Sequence, residues 1–327
     1  MVEEYKQGIG ELFLNPDPDK LRETFKAKDK KMVSKVMDLK DAVSKYVKDG
    51  DYLGIGGFGT NRIPSAALHE IVRQRKKNLG FAGHTSTHDC QILIAGKCIN
   101  RCDAAYIVGL EARGLSPNAR RAFQSGDIKV TEWTNAVLSW RLKAAAMGLP
   151  FLPTRTMMGT DTFKYSAAKE IKCPFTGKKL AAVPALSPDV SVIHVHRSDV
   201  YGNCQIEGIS VADQDLARAS KRVILTTEKI ISNEEIRREP HKTFLLYLYV
   251  DAVIEVPFGC YPGNMPNEYF SDEEHLKEWM DAEKDEKEFE KFLDKYIYSC
   301  KNFNEYLEKK GGIERIMELR KKEFLMF

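Results

Sequence analysis

The 327-residue sequence has little of what marks a membrane-embedded, secreted or nucleic-acid-binding chain. Its longest apolar run is the seven residues Phe244 to Val250, well short of the roughly 20 that a helix needs to cross a bilayer. Met1-Val2-Glu3-Glu4-Tyr5 lacks the basic-then-apolar layout of a signal peptide. Fifty Lys and Arg against 47 Asp and Glu leave a net charge of only +3, with the two signs interspersed. There is therefore no basic stripe or tail to follow a phosphate backbone. Cysteines number seven, an odd count scattered from Cys90 to Cys300, which does not make a disulfide framework in a chain this long. No C-x2-C pair of the kind zinc favours is present, no internal repeat, no low-complexity segment and no G-x-S-x-G elbow. The expectation is a cytoplasmic protein with free thiols and no nucleic-acid or membrane partner.

What is present is alternation. Asp38 is placed to cap a helix whose Leu39, Val43, Tyr46 and Val47 share a face, Gly50 follows its end, and a strand begins at Tyr52. Pro64 opens the next helix, with Ala67, Leu68, Ile71 and Val72 on one side, before a strand at Leu79 to Ala82. Further strands are predicted near Ala104–Val108, Ile128–Thr131, Phe151–Leu152, Ala181–Val183, Val190–His196, Arg222–Thr226 and Val250–Val256. Helices fall between several of them, over Pro117–Gln124, Asn135–Met147 and Asp213–Ser220. Strands apolar on both faces that alternate with helices imply an α/β fold, a mostly parallel open sheet with helices on both faces. Residues 1–32 carry little pattern and read as an N-terminal arm, and 33–265 as the α/β domain. Residues 266–327 read as a helical C-terminal extension, its Phe289, Phe292, Leu293, Tyr296 and Ile297 at helical spacing, packed on the domain or on a partner.

Four places carry residues suited to chemistry. Gly54-Ile55-Gly56-Gly57-Phe58-Gly59 follows a strand and precedes the Pro64 helix, where glycines let amides approach an anion or simply make a tight turn. The G-x-G-x-x-G register has no acidic residue about twenty positions on, so a nicotinamide dinucleotide is not implied. Gly83-His84-Thr85-Ser86-Thr87-His88 also follows a strand, at the edge where open α/β sheets take ligands, although a helix cap is the more frequent use of residues such as Ser86 or Thr87. His194 and His196 share one side of a strand, but no third ligand is nominated and no metal site is expected. Glu111, just past the Ile107-Val108 run, is either a candidate nucleophile or base or an exposed loop glutamate.

Taken together these segments resemble the A-type half of the class I coenzyme A transferases, most closely the glutaconate type, from about Val33 to about Gly312. The strongest stretches are Asp51 to Phe58, Ala144 to Pro153, Glu228 to Arg238 and Val250 to Gly259. The resemblance implies one half of a two-chain enzyme, an A2B2 or larger hetero-oligomer. It moves CoA between short-chain, glutaconate-like carboxylic acids through an acyl-glutamyl anhydride and a glutamyl-CoA thioester. Such covalent catalysis divides one hard exchange into easier ones, and the nucleophilic glutamate is expected on the B-type partner chain, with none on this chain. Coenzyme A enters as a substrate, with no permanently bound cofactor. Gly56, Gly57, Phe58 and Arg62, with Gly83, His84, Thr85 and Ser86, are the implied substrate-binding residues, Arg62 as a fork for a substrate carboxylate. His84, Thr85 and Thr87 stand where the glutaconate enzyme has more glycines. Two alternatives stay open: an acyl-CoA ring-opening hydrolase of the same family, for which Glu111 would be catalytic, and a non-catalytic acyl-CoA-binding scaffold.

Overall fold

The computed structural model describes residues 6–107 and 114–325. Twelve strands are described: β1 (Tyr52–Ile55), β2 (Leu79–Gly83), β3 (Ile99–Ala104), β4 (Lys129–Glu132), β5 (Phe151–Thr154), β6 (Lys169–Lys172), β7 (Lys179–Pro184), β8 (Val190–Ser198), β9 (Cys204–Gln205), β10 (Arg222–Ile230), β11 (Thr243–Leu245) and β12 (Ala252–Glu255). Seven of them make a parallel sheet in the order β12-β10-β8-β1-β2-β3-β4. From β1 the chain winds outward through β2, β3 and β4, and from β8 it winds the other way through β10 to β12. The β1/β8 boundary is thus the topological switch point, beside which open α/β sheets bind ligands at the carboxyl ends of their strands. Beyond the end of β1 the longer β8 pairs with antiparallel β9, and β11 adds to β9.

Two strand expectations need correction. The strands foreseen at Phe151–Leu152 and Ala181–Val183 leave the main sheet: β5, β7 and β6 form a separate antiparallel sheet. The strand foreseen over Ala104–Val108 lies earlier, at Ile99–Ala104, where Asn100, Arg101 and Asp103 conceal it from a reading of hydropathy. Asp103 is nonetheless buried, because three donors meet its carboxylate: Tyr52 Oη at 2.5 Å, Trp133 Nε1 at 2.6 Å and Arg141 Nη1 at 2.6 Å.

Thirteen α-helices surround the sheets: α1 (Pro18–Ala27), α2 (Leu39–Tyr46), α3 (Ser65–Arg73), α4 (His88–Ala95), α5 (Pro117–Ser125), α6 (Asn135–Ala146), α7 (Asp161–Tyr165), α8 (Asp213–Ala219), α9 (Asn233–Arg238), α10 (Glu273–Ala282), α11 (Glu286–Leu293), α12 (Phe303–Lys309) and α13 (Gly312–Glu323). Asp38 caps α2, accepting from Lys40 N as the sequence foretells. Strand alternation sorts the core into two layers: Leu53, Ile55, Val190 and Val192 face α2, α3 and α4, whereas Tyr52, Ile193 and Val195 face α6 and α8. No helix among the described residues is long and apolar enough to cross a membrane.

The arm is a strap rather than a loose tail. Gly8 N and Gly10 N donate to Ala168 O and Ser166 O at 2.9 Å, and Glu170 N donates to Lys6 O at 2.7 Å. Phe13 stacks on Tyr52 with centroids 6.4 Å apart, and Lys28 Nζ reaches Tyr249 O and Asp251 Oδ2, both at 2.8 Å. Val253 N then donates to Lys35 O at 2.9 Å. At the other terminus the helices α10 to α13 pack on their own domain. Trp279, Phe289, Phe292, Tyr296, Phe303 and Tyr306 all join the core that contains α3 and α4, each contributing on the order of 1.5–3 kcal/mol.

Beneath these aromatics lies His69 of α3, 1 % exposed, with neither ring nitrogen hydrogen-bonded and its centroid 4.5 Å from that of Tyr306. Burial, helped by Arg73, His275 and His88, holds its pKa well below the ordinary value. As pH falls below about 6.5 the unfolded chain therefore takes up this proton before the folded one does, and stability declines. Replacing His69 with Leu removes two unpaired polar atoms. It is expected to raise the unfolding free energy at pH 7.5 by about 1 kcal/mol, with the gap over the natural protein widening toward pH 5, as measured by urea titration.

Candidate functional site

At the carboxyl end of β1 the glycine loop turns back on itself. Gly56 N donates to Val192 O at 2.9 Å, Phe58 N to Asn61 O at 2.9 Å and Gly59 N to Thr85 O at 3.0 Å. Gly57 has φ +95°, and a Cβ there would lie 2.6 Å from Asn61 O, so only glycine fits. Its N–H donates to Asp213 Oδ1 at 2.9 Å. An internal carboxylate thus stands where an anionic ligand would, and the amides of 56, 57, 58 and 59 are all engaged: of the two readings of this cluster, the geometry is that of the turn.

Arg62 closes the same knot. Its side chain is fully buried, with Nη1 at 2.5 Å from Asp213 Oδ2, Nη2 at 2.6 Å from Ile209 O and Nε at 3.1 Å from the same oxygen. The fork expected to meet a substrate carboxylate is filled from within in this structure, because burial demands partners for its donors and Asp213 at the start of α8 supplies the charge. Arg62 is a positioning residue for the loop.

The second loop, after β2, packs against the first. The rings of His84 and Phe58 lie 5.4 Å apart, Thr85 takes φ +51°, and Thr87 Oγ1 donates to Gly59 O at 2.6 Å. Thr87 occupies the cap position of α4 as foreseen, but its hydroxyl makes no cap bond. Asp89 does that work, accepting from Thr87 N at 2.6 Å. Burial pushes the Asp89 carboxyl up to about 6 even though the backbone N–H groups of Thr87, Asp89 and Cys90 oppose the rise. Burial likewise lowers the His84 pKa, against a raising contact with Asn135, so this ring is neutral at pH 7. Ser86 forms a parallel bridge with Ile107 after β3, so the segments after β1, β2 and β3 come together at one edge of the sheet. Glu111 lies outside the described residues.

On the other side of the switch point, the carboxyl ends of β8, β10 and β12 open into a cavity of about 970 Å³ lined by His196, Glu228, Pro257 and Phe258, among others. Glu228 is its best-anchored wall: Oε1 meets His194 Nε2 at 2.9 Å and Tyr269 Oη at 2.7 Å, and Oε2 accepts from Phe258 N at 2.6 Å. His194 and His196 do not act together. The latter donates Nε2–H to Pro266 O at 2.7 Å and accepts at Nδ1 from Glu207 N at 3.0 Å, with burial lowering its pKa to about 4. His194 instead gathers Glu228 and Cys260, whose donor atoms all lie within 4.8 Å of one another. Asp213, Glu228, Cys260 and Tyr269 are absent from the sequence-derived candidates. Glu228 and Cys260 lie in or beside stretches quoted for the resemblance, but nothing in their spacing pairs them with His194.

The Arg62–Asp213 pair makes a direct prediction. Asp213→Ala leaves a buried guanidinium unpaired and is expected to cost about 3–5 kcal/mol of unfolding free energy. Arg62→Met combined with Asp213→Leu is expected to cost much less than the sum of the two single changes, measured by chemical denaturation as a double-mutant cycle.

The model of the coenzyme A transferase family matches residues 36–256. The A-type chain of glutaconate CoA-transferase from Acidaminococcus fermentans is 34% identical over 301 residues, 87% of this chain and 94% of that one. The crystal structure of glutaconate coenzyme A-transferase from that organism superposes with a TM-score of 0.84, covering 88% of this chain and 95% of the other. The A-type chain of 3-oxoadipate CoA-transferase from Pseudomonas knackmussii is 34% identical over 281 residues, 85% and 98% of the two chains. The cholesterol ring-cleaving hydrolase IpdA subunit of Rhodococcus jostii is 27% identical over 274 residues, 80% and 92% of the two chains.

Proposed function

Because the chain belongs to the coenzyme A transferase family, as an A-type member, we propose that it pairs with a B-type chain to move CoA between short-chain, dicarboxylic acids. A glutamate carboxylate of the B-type chain attacks the thioester carbon, the C–S bond breaks, and CoA leaves as thiolate from an acyl-glutamyl anhydride. The thiolate then attacks the glutamyl carbonyl, releases the donor acid and leaves a glutamyl-CoA thioester. The acceptor carboxylate reverses both steps with its own acyl group, so no proton is gained or lost overall.

This chain contributes a wall. The observation that carries the reading is the packing of the 56–59 loop against the 83–87 loop at the carboxyl edge of the sheet, beside the switch point. Its half-buried Phe58 and His84 are uncharged, while Thr85, Ser86 and the carboxylates of Asp213 and Asp89 are buried beneath them. Such a surface holds an acyl chain and excludes water from an anhydride that water would destroy, while the nucleophile arrives from another chain. Gly56, Gly57, Gly83 and Arg62 fix the two loops. His84 and Thr85 add bulk to this edge relative to a glycine-rich loop and favour acids smaller or more polar at that end.

Similarity to a ring-cleaving hydrolase subunit, together with Glu111, supports a second reading in which a branch of the family hydrolyses acyl-CoA substrates. Co-expression with a B-type chain separates the two. On the transferase reading this chain alone is inactive, and the pair transfers CoA. A CoA adduct is trapped on the glutamate of the B-type chain by mass spectrometry, and Glu111→Gln leaves transfer within about twofold. An adduct on this chain, or hydrolysis without transfer that Glu111→Gln abolishes, overturns it.

A further inference from the structure

Among the described residues only two β-branched side chains sit on a left-handed backbone, Thr85 at φ +51° and Val211 at φ +35°. Both belong to loops at the carboxyl edge of the sheet, and both loops are tied to the Arg62–Asp213 pair. Thr85 O accepts from Gly59 N at 3.0 Å, in the turn whose Gly57 N donates to Asp213. Val211 lies between Ile209, whose carbonyl takes Nη2 and Nε of Arg62 at 2.6 and 3.1 Å, and Asp213, whose N–H donates to Ser210 O at 3.0 Å. On its other flank the same loop is wedged: Gly208 has φ +74°, and a Cβ there would lie 2.9 Å from Pro266 Cβ. Burial lowers the pKa of His84 and, after the backbone contact with Asn135, the Asp213 charge opposes it, so that ring and the ion pair are neighbours.

A β-branched residue on a left-handed backbone is strained, because its Cβ crowds the neighbouring carbonyl, whereas glycine or asparagine takes that conformation at little cost. Such strain persists only where the surround over-determines it, and it gathers at active sites and ligand clamps. At Val211 the fold gains no packing in return. Its side chain joins neither core and is 46 % exposed, and Ile209 beside it is 45 % exposed. A glycine at 211 would close the same turn with less strain, so what the valine adds is an apolar side chain held out from a rigid loop. Single apolar residues at a surface are ordinary. Two that are fixed by a strained backbone and a buried ion pair, beside a topological switch point, stand where open α/β sheets take their ligands. The stem of a short dicarboxylic acid is a few methylenes between two polar ends, and such a ligand calls for an apolar wall along its middle.

We infer that the Gly208–Val211 loop is a specificity-determining wall of the acyl-CoA site, with Ile209 and Val211 packing against the methylene stem of the acyl group and so setting its length. This rests on the reading that the paired chains transfer CoA between short dicarboxylic acids. The test uses the complex with the B-type chain and three probes that differ by methylenes, succinyl-, glutaryl- and adipyl-CoA, with acetate as acceptor. For each probe kcat/KM for transfer and Kd by calorimetry are measured. Val211→Gly is expected to raise the urea midpoint of the complex by relieving strain, and yet to shift the kcat/KM and Kd ratios about tenfold toward the longer acyl groups, since one methylene in a pocket is worth roughly 10–200-fold. Ile209→Ala keeps the carbonyl that Arg62 holds and is expected to shift the ratios in the same direction. Sedimentation velocity follows association with the B-type chain, expected to stay within about twofold. Folded variants whose ratios are those of the natural complex, whether or not association weakens, overturn the inference while transfer by the natural complex stands, and so does a Val211→Gly midpoint that fails to rise. Shifted Kd ratios in a complex that transfers nothing keep the wall and overturn the transfer reading. A natural complex that binds none of the three probes overturns both.

Discussion

The carboxyl edge of the sheet depends on one buried ion pair. Arg62 and Asp213 meet at the point where the winding of the sheet reverses, and between them they tie the β1 loop, the β8 backbone and the segment carrying Ile209. A switch point leaves a gap because the two crossovers depart in opposite directions. In this chain the gap is filled by paired charge rather than by ligand. Burying two charges is costly unless every lone pair and proton is met, so the pair demands a rigid surround, and the loops after β1 and β2 inherit this rigidity.

Much of this architecture is legible in the sequence, for a definite reason. The strands of a sheet buried on both faces are short apolar runs between capped helices, and β1, β2, β8, β10 and β12 all read that way. β3 does not, because Asp103 is a buried charge whose three donors come from residues 30 to 51 positions away, and local hydropathy cannot register partners at that range. The separate β5-β7-β6 sheet escapes for a related reason: an antiparallel ribbon on the side of a parallel sheet uses the same residue types, and only pairing distinguishes the two.

The site divides along the same line. Both loops are visible as glycine and small-polar clusters after strands, and the structure brings them into contact through Phe58, His84, Thr85 and Thr87. Arg62 belongs to the expected loop but meets an unexpected partner, since a sequence shows an arginine's five donors and not the carboxylate 151 residues on that takes them. His194, Glu228 and Cys260 lie on three different segments and share no spacing rule, so only the fold assembles them.

The strap at the amino terminus has a consequence for the order of events during synthesis. Lys28 docks on Asp251, 223 residues downstream, so this segment leaves the ribosome long before the partner that holds it. At 5–20 residues per second that interval is roughly 10–45 s. Throughout it Phe25 lacks the Tyr249 ring that it packs against in the folded chain, and this stretch must be kept from its neighbours until that ring emerges.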